Sequence, residues 1–152
     1  MKIFITADHH FHHKNIIEYC KRPFKTVEEM DKTMIEKWNK KVGKDDLVIH
    51  LGDFALGTKE QVKETREKLN GTIILIKGNH DKVIKEFIIV NDLLRIGDLV
   101  FSHRPIPKKE ISKDCINVHG HIHEKESFEG INVSVEQTNY GPVELKELER
   151  EI

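Results

Sequence analysis

Thr72-Ile-Ile-Leu-Ile-Lys-Gly-Asn-His-Asp81 is a short apolar, β-branched run that stops at a glycine and then delivers an amide, an imidazole and a carboxylate in succession. Runs of this kind closed by Gly read as strands covered on both faces, and open α/β sheets hold ligands just beyond the carboxyl ends of such strands. The pattern recurs along the chain. Lys2 to Ala7 leads into Asp8-His9-His10, Asp46 to Leu51 into Gly52-Asp53, Asp98 to Ser102 into His103, and Cys115 to Val118 into His119-Gly120-His121-Ile122-His123. Five strand-like runs therefore each end in residue types that ligate metals.

Between these runs the sequence alternates with helical signals. Asn15 to Cys20 has apolar residues at helical spacing and is ended by Arg22-Pro23-Phe24. Thr26 is placed to cap a longer helix, with Glu29 at the capping-box position, and Val27, Met30, Met34, Ile35, Trp38 and Val42 recur at steps of three and four until Gly43. Thr58 with Gln61 opens a third helix that stops at Asn70-Gly71, and a short helix is expected from Asp81 to about Ile89. Leu93 to Ile96 and Leu99 to Ser102 flank Gly97-Asp98, which predicts a tight hairpin and so a mixed sheet. Pro105 to Asp114 reads as an exposed loop, Ile131 to Val135 alternates like a strand, and Val143 to Ile152 reads as a charged helix.

Composition narrows the function classes. A chain of 152 residues, 38% hydrophobic and 34% charged, fits one soluble domain spanning residues 1–152. The formal net charge of −1 supplies no global field for a nucleic acid or an anionic membrane, and no segment approaches membrane-spanning length or reads as a signal peptide, so a cytoplasmic location is expected. Cys20 and Cys115 are isolated and read as two reduced thiols. The ten histidines are the anomaly, because most of them crowd into positions 9 to 13 and 119 to 123.

Those histidines suggest a metal centre. In an extended segment residues two apart point the same way, so Asp8 and His10 can share one ion while His9 faces elsewhere, and His121 with His123 repeats the spacing. Gly120 and Gly78 are read as sources of backbone freedom at tight turns. Asp53 offers a carboxylate that can bridge two cations, and Asn79 a neutral carbonyl ligand. Asp8, His10, Asp53, Asn79, His103, His121 and His123 make a nitrogen and oxygen set with no thiolate, too many for one ion. Shared between two, the set leaves open positions for water and substrate, as in catalytic sites that hydrolyse phosphoesters.

Taken together, Asp8-x-His10, Gly52-Asp53, Gly78-Asn79-His80-Asp81, His103 and Gly120-His121-Ile122-His123 resemble, in order, the signature of the calcineurin-like metallophosphoesterase superfamily. More narrowly, Asp8 to Ile16 and Arg22-Pro23-Phe24 are similar to small cap-less bacterial and phage members, with His12 standing where such relatives usually carry Gly. The resemblance implies an α/β fold, a four-layer αββα sandwich of two mixed sheets. It also implies that Asp8, His10, Asp53 and His123 hold a first metal and Asp53, Asn79, His103 and His121 a second. His80 is then left to protonate the leaving oxygen, with Asp81 to orient it.

Two divalent transition-metal cofactors are expected, manganese first, with iron, zinc, nickel or cobalt accepted by the same donors. His13, Asn15, Arg22 and Arg104 are candidate substrate contacts. His50, alone in an apolar run, and His119 read as core histidines, and Trp38 and Phe24 as packing residues. The expected function is hydrolysis of a small or nucleotide-type phosphodiester by a metal-activated water, with a phosphomonoester as the alternative substrate and an inert protein-binding scaffold as the alternative class. No membrane, nucleic-acid or obligate protein partner is expected.

Overall fold

The computed structural model describes residues 1–152, the side chain of Glu151 apart. The apolar runs form strands β1 (Ile3–Thr6), β2 (Leu47–His50), β3 (Thr72–Ile76), β4 (Ile88–Val90), β5 (Leu93–Ile96), β6 (Leu99–Ser102), β7 (Ile116–His119), β8 (Ile131–Asn132) and β9 (Val143–Glu144). They assemble into two mixed sheets. The first has the order β4-β3-β2-β1-β9, all parallel except β9, and the second the order β5-β6-β7-β8, with the β5/β6 hairpin antiparallel.

Strand periodicity divides the core in two. Phe4, Val48, Ile73 and Leu75 face helices α2 (Val27–Lys41) and α3 (Lys59–Glu67), where they meet Met30, Met34, Trp38 and Val62. Ile5, Ile49 and Ile76 point the other way, against Leu99, Phe101 and Val118 of the second sheet and Leu145 and Leu148 of α4 (Leu145–Glu151). Each fully buried side chain of this size contributes about 1.5–3 kcal/mol, so the sheet interface and the helix layer each hold a substantial part of the stability. The outer layer on the second sheet is thin. Asn117 is buried there and accepts from the Ile106 amide, beneath a loop whose regular structure is the 3-10 turn Lys108–Glu110.

The helix starts follow the capping residues. Thr58 and Gln61 form a reciprocal capping box on α3, whereas at α2 Thr26 accepts from the Glu29 amide and the Glu29 carboxylate turns back to Lys25 instead. The first helix is a single turn, α1 (Ile16–Tyr19).

The helix expected from Asp81 to about Ile89 does not form. Ile88–Val90 instead continues the first sheet as β4, in parallel register with Ile74, Leu75 and Ile76. Pairing with the open edge of β3 satisfies backbone groups that a helix would leave unpaired on that strand, and Ile84 and Phe87 still reach the core from an irregular crossover.

Candidate metal centre

The parallel strands β1, β2 and β3 of one sheet and β6 and β7 of the other bring their carboxyl ends to one rim. Backbone hydrogen bonds tie the loops together there: Asp8 N donates to Gly52 O at 3.0 Å, His10 N to Asp53 O at 3.0 Å, and Gly120 N to His103 O at 3.0 Å. Two groups of donors result. Asp8, His10 and His123 place ligand atoms within 4.8 Å of one another, and so do Asp53, His103 and His121.

Asp53 lies between the groups. Its Oδ2 is 3.4 Å from His10 Nε2 and 3.5 Å from His103 Nε2, while Oδ1 accepts the His80 amide at 3.0 Å. His103 Nδ1 sits 2.7 Å from the Leu51 carbonyl, which fixes the proton on that nitrogen and leaves the Nε2 lone pair facing His121 Nδ1 at 3.2 Å. His10 Nε2 and Asp8 Oδ1 are buried without a hydrogen-bond partner among the described residues. Buried lone pairs and carboxylate oxygens that converge without donors are the arrangement that divalent transition cations satisfy, and the imidazole and carboxylate donor set fits them.

The ligand residues do not have the extended geometry expected of them. Asp8, His10, Asp53, His121 and His123 all adopt left-handed backbone conformations, with φ of 59°, 52°, 53°, 71° and 52°. Each such non-glycine residue costs of the order of 1–3 kcal/mol, and strain of this kind gathers where a site over-determines the chain. His9 does face elsewhere, stacked on Phe11 and 2.9 Å from His50, but because of this curled loop and not because of strand alternation. The same curl sends His121 and His123 to different donor groups.

The glycines also act otherwise than expected. Neither Gly78 nor Gly120 has positive φ; each is required for space. A Cβ on Gly78 would come within 2.5 Å of Asp53 N and Oδ1, and one on Gly120 would overlap the Asp8 carboxylate.

Electrostatics differ between the carboxylates. Burial pushes Asp8 up to about 6 against the pull of His123 and His103. For Asp53 burial acts in the same upward direction but is outweighed by His10, His103 and the His80 amide, which hold it below the usual carboxylate range. Burial lowers His10 to about 4 despite Asp53. At His123 burial opposes the charged form, yet Cys20, Glu136 and Asp8 together raise it to about 10. A bound cation adds the largest local charge and inverts this balance.

The other predicted residues divide. Asn79 and His80 are exposed at the rim. Asn79 lines an open cleft of about 370 Å³ with His103, Arg104, Lys77 and Ile106, and the His80 ring lies 5.7 Å from that of His10. His13 is half-buried, its Nδ1 3.1 Å from His10 Nδ1. Asn15 is exposed and its side chain caps nothing. His50 and His119 are core histidines, the first accepting from the Gly52 amide and the second 2.6 Å from Ser127 Oγ. Trp38 is fully buried and Phe24 packs on the helix-side core.

Two further expectations fail. Asp81 does not orient His80: its oxygens accept from the amides of Asp53, Phe54 and Gly78, all at 2.7 Å, so it fastens the Asp53 loop to the Gly78 loop. Arg22 does not reach a phosphate, because it is buried and spends its nitrogens on the carbonyls of Asp8 and His9 and on Glu136.

The sequence reading missed Ser134 and Glu136. Ser134 donates to Asp8 Oδ2 at 2.8 Å, and Glu136 faces His123. The signal was present, since the alternation through Ile131 to Val135 puts Asn132, Ser134 and Glu136 on one polar face.

The fold and the paired donor groups define an α/β sandwich with two adjacent sets of candidate metal donors on its rim. The chain belongs to the calcineurin-like phosphoesterase family, whose profile matches residues 1–151. An uncharacterized protein of Methanocaldococcus jannaschii is 41% identical over 156 residues, covering 95% of this chain and 87% of its own length. Gene 66 protein of Mycobacterium phage L5 is 40% identical over 79 residues, 50% of this chain and 38% of its own. A crystal structure of a protein of unknown function from Aquifex aeolicus superposes with a TM-score of 0.80 at 26% identity, covering 99% of both chains.

Proposed function

We propose that the protein is a dinuclear-metal phosphoester hydrolase acting on a small or nucleotide-type phosphodiester. The observation that carries the reading is the position of Asp53 Oδ2 between His10 and His103, one from each donor group. Asp8, His10, Asp53 and His123 would hold one cation and Asp53, Asn79, His103 and His121 the other. When bound, two such cations, manganese foremost, would supply Lewis acidity to the phosphoryl oxygens and would lower the pKa of a coordinated water towards about 7.

The protein's own groups do the rest. Asp53, kept ionised by the imidazoles around it, fixes the separation of the two donor groups. His80 is exposed beside His10 and has no ligand duty, so its imidazole is free to pass a proton to the leaving ester oxygen. The cleft beyond Asn79 and His103 gives the second ester group a place against Ile106, with Arg104 available to a phosphoryl oxygen. That room beside the reacting centre favours a diester.

Turnover of bis-p-nitrophenyl phosphate and p-nitrophenyl phosphate, with added Mn²⁺ and with chelator, tests the proposal. Manganese-dependent turnover with the diester preferred is expected, and His80→Ala should lower kcat by about 10²–10⁴-fold with both ions retained. Preference for the monoester overturns the substrate assignment. Two bound ions with no turnover of any ester would make the fold an inert scaffold.

A further inference from the structure

Behind the first donor group lies a buried polar triad of Arg22, Glu136 and His123, whose central carboxylate belongs to none of the motifs. The Glu136 side chain is 3% exposed and its Oε1 carries all its contacts: Arg22 Nε donates at 2.9 Å, Arg22 Nη2 at 2.7 Å, and His123 Nδ1 lies 3.0 Å away. The same guanidinium donates from Nη1 to the His9 carbonyl and from Nη2 to the Asp8 carbonyl, both at 2.7 Å. One buried arginine thus ties the curled backbone of the first motif to the carboxylate that meets a histidine of the last. Among the described residues Oε2 of Glu136 is buried without a partner, and Cys20, His123 and Glu136 place donor atoms within 4.8 Å of one another.

A carboxylate can only accept, so the contact keeps a proton on His123 Nδ1, and a cation that displaces the other proton would be met by Nε2 beside Asp8 and His10. Carboxylates in this position fix ring orientation and raise the basicity of a ligating imidazole, and their loss typically weakens metal binding by about 10–100-fold. We propose that Glu136, clamped by Arg22, is a positioning residue that sets the His123 tautomer and thereby the affinity of the first cation site. This rests on Asp8, His10 and His123 being cation ligands, but it concerns binding and is independent of whether an ester is hydrolysed. Arg22, read from sequence as a phosphate contact, acquires an internal role.

The test is metal binding by the full chain after removal of bound ions. Zn²⁺ titration calorimetry of wild type, Glu136→Gln and Glu136→Asp should show two sites, one weakened by about 10–100-fold in Glu136→Gln and partly restored in Glu136→Asp, the other unchanged. Long-range ¹⁵N–¹H spectra of the zinc-loaded wild type should show His123 protonated at Nδ1 and ligating through Nε2, a readout that needs no substitution to fold. Ligation through Nδ1 overturns the proposal. So do wild-type affinities at both sites in Glu136→Gln, or equal weakening of both together with a lower melting temperature of the metal-free protein. A third equivalent of zinc that disappears in Cys20→Ala overturns it too, by making Cys20, His123 and Glu136 a metal site of their own. Wild type that binds no ion sinks both this and the hydrolase reading, whereas two well-bound ions without turnover sink only the latter.

Discussion

Gly120→Ala is a one-methyl change whose effect can be worked out from the structure. Gly120 has an ordinary backbone conformation, so alanine meets no φ penalty there. Its methyl, however, would overlap Asp8 Oδ2 and lie 2.6 Å from Ala7 Cβ and 3.3 Å from Asp8 Cγ, both in fully buried residues. Oδ2 is also the acceptor for His121 N at 2.8 Å and Ser134 Oγ at 2.8 Å, so the carboxylate cannot step aside without giving up those bonds.

Overpacking costs about 1–3 kcal/mol and each hydrogen bond to a charged acceptor about 1.5–3 kcal/mol, which puts the total at roughly 2.5–6 kcal/mol if one bond survives the shift. For a chain of this length that corresponds to a melting temperature lower by about 10 °C. Because Asp8 is a proposed ligand, the first cation site should weaken as well. Differential scanning calorimetry with metal titration is the assay. Gly141→Ala is the control, since there the added methyl meets only Lys37, 3.5 Å away at Cβ. A Gly120→Ala protein that melts and binds metal as Gly141→Ala does would show that the Asp8 carboxylate is not confined by Gly120.

Two further predictions concern the helix side of the molecule. His12 has φ of 64° and lies 2.7 Å from Thr65 Oγ1 through Nε2. His12→Ala keeps the left-handed strain and loses the hydrogen bond, whereas His12→Gly loses both, so urea unfolding should find the alanine variant less stable by about 1 kcal/mol. The reverse order would show that backbone strain is absent there. Burial, only partly offset by the amide and imidazole of His12, raises Asp31 to about 6. The folded protein then holds this proton more tightly than the unfolded chain, and stability falls as pH rises from about 4 to about 6. The loss is about 1.4 kcal/mol for each pH unit that separates the folded and unfolded pKa values. Asp31→Asn should flatten that part of the urea stability profile relative to wild type. Equal slopes would contradict it.

Legible in the sequence were the five strands that end at the rim, the two long helices, the hairpin at Gly97-Asp98 and the residues that collect beyond the strand ends, but not β4 or β9, which fell inside segments that read as helix. The legible features are carried by local periodicity, capping chemistry and the glycines and histidines that end each apolar run. Tertiary structure decided the rest. Whether the segment after Asp81 forms helix or strand depends on the free edge of β3, a partner remote from its own propensities. Asp81 and Arg22 were legible as charges, but their roles are set by which amides and carbonyls the two sheets bring within reach: three amides for the one, the Asp8 and His9 carbonyls and Glu136 for the other. Likewise no spacing rule separates His121 from His123. The curled backbone around Gly120 does that, held in a strained conformation by contacts from β1, β6 and the polar face that follows β8.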